Sequence, residues 1–360
     1  MRTPNTTRLV AAGAVAALAV AALAGAALGA GKLTVVTTTT DLKSIVESVG
    51  GGRVSVTSLA SGHEDPHFIQ AKPSYMMLAR KADLWVRVGM ELEVGYEDLI
   101  IDGSRNAKIR VGQQGHLDCS ANVVKLEVPT GKVTREMGDV HPMGNPHYWL
   151  DPLNGRIAAK AVAERLAQLD PADANEFQRN YQTFERALDE RMFGKALVDR
   201  LGGAKLWALQ LKGQLPGYLD ENKLRGELGG WQAAMLPLAG SSIVTEHKSW
   251  VYFTHRFGLS VADELEPKPG VPPSPAHLVD VIDLVKRGGI KTILLEPFYQ
   301  RKAADLVASK TGAKVVVCAN CVGGQKQATD YLALMDLIVN SLRDAAGVVA
   351  ATAMPAKEAR

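Results

Sequence analysis

The chain has 360 residues, 46% hydrophobic and 22% charged, with a formal net charge of +3. That is globular composition, and the length favours two domains over one. Setting Arg2 and Arg8 aside leaves 39 basic residues against 38 acidic ones, a balance that gives no electrostatic case for a nucleic-acid partner.

Arg2 and Arg8 precede an Ala/Leu/Val/Gly run from Leu9 to Ala30. A positive start, an apolar stretch and small residues at its end read as a secretory signal, with cleavage after Ala26 or Ala30. The competing reading is a retained membrane anchor, since the run is about long enough to span a bilayer. No Cys closes the run, which argues against a lipid-anchored form, and no later segment is apolar enough to span. Export permits disulfides. Cys318 and Cys321 form a Cys-Ala-Asn-Cys segment outside the strand-then-helix layout of a redox pair. They read as a local disulfide or as two free thiols, with Cys119 left over.

The mature chain opens on a β-rich run, Leu33 to Thr40. Asp41 is a candidate N-cap for a helix with Leu42, Ile45, Val46 and Val49 at helical spacing, stopped by Gly50 to Gly52. Val54 to Leu59 is a second strand, and a helix starts at Pro73. Asp83 to Val88 and Ala107 to Val111 are the next two strands. This alternation predicts a parallel α/β lobe. Asp170, Pro171 and Asp173 then open a long helix, with Phe177, Tyr181, Phe184, Leu188 and Met192 on one face. Running to Leu201, it would be about 45 Å long.

After a Gly- and Leu-rich stretch, 202–240, the α/β pattern returns. Ser242 to Thr245 is a strand, followed by a helix through Trp250 and Phe253 to Gly258 and a strand from Leu259 to Ala262. Pro267 to Pro275 is a loop, and Ser274 with Pro275 starts a helix. Lys291 to Leu295 and Lys314 to Val317 are further strands. The fold class is therefore α/β: two parallel-sheet lobes joined by one long helix. The divisions are a signal peptide at 1–30, an N-terminal lobe at 31–169, the connecting helix at 170–201, a C-terminal lobe at 202–345 and a loose tail at 346–360.

Three of the eight histidines stand out. His67 follows the second strand of the first lobe. His147 lies in Asn145-Pro-His147-Tyr-Trp-Leu-Asp-Pro152, a loop entering a helix. His247 follows the first strand of the second lobe. Open α/β sheets bind ligands beyond the carboxyl ends of their strands, so facing lobes would let these imidazoles reach one ion. Three neutral imidazoles suit Zn2+. Glu296, directly after a strand, is the first choice for a fourth ligand. The other reading of each histidine is a hydrogen-bonded loop residue. His141 is a candidate transient ligand, whereas His63, His116, His255 and His277 read as packed or solvated.

Several ordered segments resemble the metal-binding, zinc- and manganese-type substrate-binding proteins of ABC transporters, among them the zinc-uptake solute-binding proteins. They are Asp65-Pro-His67-Phe with Pro73-Ser74, Lys81 to Gly89 with Glu91, Asn145 to Pro152, His247 with Phe253 and Arg256 to Leu259, and Leu294-Leu-Glu296-Pro with Ala304 and Thr311 to Lys314. The resemblance covers nearly the whole mature chain. It implies His67, His147 and His247 as ligands, metal held between two lobes, and delivery to a permease in the inner membrane by a periplasmic monomer. His at the third position favours Zn2+; Mn2+ or Fe2+ is the alternative cargo.

Two features depart from the family pattern. The loop after the last strand, Cys318 to Gly324, carries no carboxylate, which leaves the fourth ligand open among Glu296, water and Cys321. Residues 202–240 look like an insertion. A zinc hydrolase would need a general base, and His-Glu-x-x-His is absent. A cell-adhesion role, which some relatives suggest, has no adhesive repeat behind it. The chain is not expected to be an enzyme.

Overall fold

The structure, a computed structural model, describes residues 31–134, 140–268 and 270–347. The expected signal segment, and all but the start of the expected tail, lie outside the described residues. No helix among the described residues is long and apolar enough to cross a membrane.

The first sheet is β1 (Leu33–Thr37), β2 (Val54–Ser58), β3 (Leu84–Arg87) and β4 (His116–Asp118), in the order β2-β1-β3-β4 and parallel throughout. Helices α1 (Thr40–Gly50), α2 (Pro73–Lys81) and α3 (Glu97–Ser104) connect them. The second sheet, β5 (Ser242–Thr245), β6 (Ser260–Glu264), β7 (Thr292–Leu295) and β8 (Lys314–Val317), repeats that order as β6-β5-β7-β8. Between the sheets run α4 (Pro152–Leu169), α5 (Ala174–Phe193), α6 (Lys195–Leu201), α7 (Gly203–Leu211), α8 (Leu215–Glu221) and α9 (Gly230–Met235). Helices α10 (Val251–Phe257), α11 (Pro275–Gly288), α12 (Lys302–Thr311) and α13 (Tyr331–Ala345) complete the C-terminal half. The two parallel-sheet α/β lobes are those the alternating pattern predicts.

Three local readings change. The strand expected at Ala107 to Val111 is a 3-10 turn, Ala107–Ile109, because the Asn106 side chain accepts from Lys108 N and curls the chain. The fourth strand instead pairs Trp85 with His116. Asp41 is not a cap: Thr39 accepts from Leu42 N, so α1 starts two residues earlier. The buried Asp41 carboxylate crosses to the other lobe and accepts from Val322 N at 2.9 Å. Lastly, the long helix does not run unbroken to Leu201. Helix α5, about 30 Å long at 1.5 Å per residue, ends at Phe193. Gly194 stops it with φ +87°, and a Cβ there would meet Gly229 Cα at 2.9 Å.

The lobes share one apolar core that includes α4, α5 and α13. Polar ties reinforce it. Tyr331 N donates to Ser44 Oγ (2.9 Å), Tyr331 OH to Trp149 O (2.6 Å), and Trp149 Nε1 to Asn320 O (2.8 Å). These buried hydrogen bonds span the lobe junction, so moving the lobes apart would leave their donors and acceptors unsatisfied. Such a junction resists wide hinge opening and permits small shifts.

Candidate metal centre

His67 sits in a one-turn 3-10 helix, Pro66–Phe68, that Asp65 caps: Oδ1 accepts from His67 N at 2.9 Å. The same oxygen lies 2.7 Å from His67 Nδ1. His147 repeats the device. Asn145 Oδ1 accepts from His147 N (3.0 Å) and lies 2.9 Å from its Nδ1. His247, on the turn after β5, is held from a distant segment, with Glu266 Oε2 2.9 Å from its Nδ1. Each Nδ1 therefore faces an oxygen acceptor. That favours the Nδ1–H tautomer and leaves each Nε2 lone pair as the atom that can face a metal.

The three rings converge. Their centroids are 5.1, 5.7 and 5.6 Å apart, and one nitrogen from each lies within 4.8 Å of the other two. Among the described residues this is the one cluster of potential ligands so close together. At about 2 Å per Zn–N bond, a modest inward shift would bring all three onto one ion.

Glu296 is not in that cluster. Its carboxylate is fully buried beside the site. Oε1 accepts from Trp250 Nε1 at 3.0 Å and lies 3.5 Å from Asn320 Nδ2, while Oε2 has no hydrogen-bond partner. Cys318, Cys321 and Cys119 are all buried and free, so no local disulfide forms. Burial, then the Asp41 carboxylate, pushes the Cys321 thiol well above its ordinary value, so it does not offer a thiolate. His141 does approach: its Nε2 is 3.1 Å from His67 Nε2. That hydrogen bond would have to break for His67 to donate to a metal. Of the other histidines, His116 is buried against Glu97, and His277 contacts Glu264 O.

The electrostatics differ from ring to ring. Burial, then the charges of His67 and His247, holds His147 well below its ordinary value. The same causes bring His141 down to about 4. Burial would lower His247 too, but the Glu266 hydrogen bond and the charges of Asp65 and Glu296 outweigh it and raise that group. Asp65 would rise on burial, yet His67 and then His247 hold it well below the carboxylate range. Tyr299 OH also donates to Asp65 Oδ2 at 2.9 Å, a bond between the lobes.

A pH prediction follows from the raised groups. Burial is the main cause that lifts Asp41, Glu93 and Glu296 to about 7 and Glu246 to about 8. His247 is raised as well. Each has a folded pKa above its unfolded value, so its stabilisation is complete below the unfolded pKa and is lost as pH rises through the folded one. The lowered groups, His141, His147 and Asp65, oppose this until the unfolded histidines have lost their protons, about a unit above their ordinary value of about 6.5. Between about pH 7.5 and 8.5 the resolved shifts therefore act in one direction, and the melting temperature of the metal-free protein should fall. Calorimetry at half-unit steps checks this, and a rising melting temperature would refute it.

Comparison with known proteins agrees with the fold. The model of the zinc-uptake complex component A periplasmic family, ZnuA, matches residues 35–192 and 230–345. The chain belongs to the ZnuA family. This ZnuA-family chain is 26% identical over 199 residues to the high-affinity zinc uptake system protein ZnuA of Brucella abortus (strain 2308), a match covering 55% of the chain. The match spans about half, 49%, of that relative's length. It is 24% identical over 319 residues to the iron-binding protein YfeA of Yersinia pestis, covering 87% of the chain and 86% of YfeA. A crystal structure of ZnuA superposes with a TM-score of 0.64 at 20% identity, covering 88% of the chain and 99% of that structure. The Mn-bound periplasmic metal binding protein of Candidatus Liberibacter asiaticus superposes at 0.61 and 18% identity, covering 87% and 99%. The family model leaves out residues 193–229, a stretch that overlaps the expected insertion at 202–240 but starts and ends earlier.

Sequence reasoning missed the oxygen partners. Asp65 and Asn145 were readable, since an Asp or Asn two residues before a His can cap its N–H and reach its Nδ1. Glu266 and Tyr299 carry no local signal, because only folding brings them to the site.

Proposed function

We propose that this chain is an extracytoplasmic solute-binding protein that captures Zn2+ with His67, His147 and His247 and delivers it to the permease of an ABC-type importer in the inner membrane. It works as a periplasmic monomer after removal of its N-terminal signal. The observation that carries this reading is the convergence of three imidazoles from both lobes, each oriented through Nδ1 by Asp65, Asn145 or Glu266. An all-nitrogen set suits zinc better than manganese, which favours oxygen donors. Glu296, with Oε2 unpartnered, is the candidate fourth ligand; water is the other occupant of that position.

A catalytic role has little support. The cavity touching His147, His247 and His141 has a volume of about 70 Å³. Pockets for organic substrates run from about 300 Å³ upward.

Metal analysis of protein purified without chelator, followed by competition, tests the cargo. Zinc should displace Mn2+ and Fe2+ at equal concentration. Zinc affinity should rise with pH from 6 to 8, because His247 must lose its proton to bind. Retention of manganese against equimolar zinc would overturn the assignment of cargo.

A further inference from the structure

Residues 193–229, outside the family match, leave the body of the protein and return to it at one point. Gly229 N donates to Phe193 O at 2.9 Å, and Gly194 and Gly229 touch with no room for a side chain. Gly230, at φ +60°, would drive a Cβ to 2.0 Å from Arg191 O. The neck is thus closed by backbone, and the excursion, α6 to α8, buries Leu206, Leu215, Leu219 and Leu224 in an apolar cluster continuous with the core the lobes share.

Besides Asp199, paired with Arg186, and Gln210, bonded to Gln232, one further side chain of this excursion reaches back into the body. Trp207 is 3% exposed, and its Nε1 donates to Asp189 Oδ1 of α5 at 2.6 Å. Its ring meets Phe193 edge to face with centroids 4.9 Å apart. On that ring sits Arg256, its guanidinium carbon 5.4 Å from the centroid. Arg256 belongs to α10, the helix that follows the His247 turn. Its Nε and Nη2 donate to Asp151 Oδ1 and Oδ2 at 2.7 and 2.6 Å, and both side chains are buried. Asp151 closes the Tyr148–Leu150 turn that starts at His147, and caps α4 through Leu153 N at 2.9 Å. The ion pair therefore joins the segment carrying His147 to the segment carrying His247, and Trp207 covers it.

We propose that the insertion is a clasp on the metal site. Trp207, acting through Arg256 and Asp151, is a positioning residue that sets the spacing of His147 and His247 and so the rate at which metal leaves. This inference rests on the three-histidine reading. A forked guanidinium–carboxylate pair holds two backbones in a defined geometry as a point charge cannot. An aromatic face beside a desolvated guanidinium adds attraction and excludes water that would loosen the pair. The family fold without residues 193–229 would leave Arg256 without this cover.

Release of Zn2+ from the loaded full-length protein to excess chelator, followed by stopped flow, is the test. Trp207→Leu and Arg256→Lys should each speed release by about tenfold, the low end of the effect of partners that orient metal ligands. Trp207→Phe, which keeps an aromatic face for Arg256, should restore most of the slow release. Leu219→Ala is the control: it opens a cavity in the insertion without touching Arg256, and should lower the melting temperature while leaving release unchanged. Unaltered release in Trp207→Leu and Arg256→Lys would overturn the clasp, as would Leu219→Ala speeding release as much at the same loss of melting temperature. If Trp207→Leu fails to fold, Trp207→Met, which also removes the aromatic face from Arg256, decides in the same way against Leu219→Ala. Wild-type protein that holds no zinc would overturn the three-histidine reading and the clasp together.

Discussion

Alanine in place of His147 is expected to weaken zinc binding by about a hundredfold or more. Structural zinc sites release roughly 10–16 kcal/mol over four ligands, so one ligand accounts for about 3 kcal/mol. His147 gives the cleanest test of the three. Loss of His67 would take the imidazole from a charged partner, Asp65, which keeps the backbone N–H of residue 67 and the Tyr299 hydroxyl, and loss of His247 would take it from Glu266, which keeps Gly270 N. Loss of His147 strands only a neutral amide, and Asn145 keeps its bond to the backbone N–H of residue 147 and those from its own Nδ2 to Glu127 and to Lys248 O. Burial also keeps His147 uncharged, so no ionic partner loses its counterion. The fold should survive, with circular dichroism unchanged. Replacing His67, His147 and His247 together should abolish binding. Chelator competition measures both, and wild-type affinity in His147→Ala would remove that residue from the ligand set.

The second large effect is on stability. Asp151→Ala should cost about 3–5 kcal/mol, the range for breaking one side of a buried ion pair, because the Arg256 charge stays behind without its carboxylate. Loss of the α4 cap adds about 1 kcal/mol. Asp151→Asn should recover the cap and not the pair. Adding Arg256→Met to Asp151→Ala should restore part of the loss, since no buried charge then remains. Urea unfolding with both probes of the native state, fluorescence and circular dichroism, measures the series. A cost below about 1 kcal/mol for Asp151→Ala would show that the pair is solvated and not a structural tie.

Where local chemistry dominates, the sequence is readable. The strands of both sheets save one, and the helices after β1, β2, β5 and β6, appear in the order that hydrophobic period and Gly/Pro stops predict. Ser274 caps α11 and Pro275 opens it as read, through a bond from His277 N. The misreadings share a cause. Ala107 to Val111 alternates like a strand, but a single Asx bond from Asn106 turns it, and the true edge strand, His116–Asp118, is three residues with no apolar run. The helix from Asp170 reads as continuous through Leu201 because Gly194 looks like an ordinary weak helix residue. It is a stop because Gly229 lies against it.

The residues by themselves determined the two α/β lobes, the histidines worth suspecting and their placement beyond strand ends, since hydrophobic period and strand-end position are properties of short segments. Only the tertiary structure decided that three imidazoles meet within 4.8 Å, that Glu266 and Tyr299 serve the site, that Glu296 stands apart from the cluster, and that Trp207 covers the Asp151–Arg256 pair. The physical reason is range. A cap or a turn is settled within a few residues, whereas a ligand set is a set of distances between segments up to 180 residues apart, and these exist only once both lobes have packed on one core.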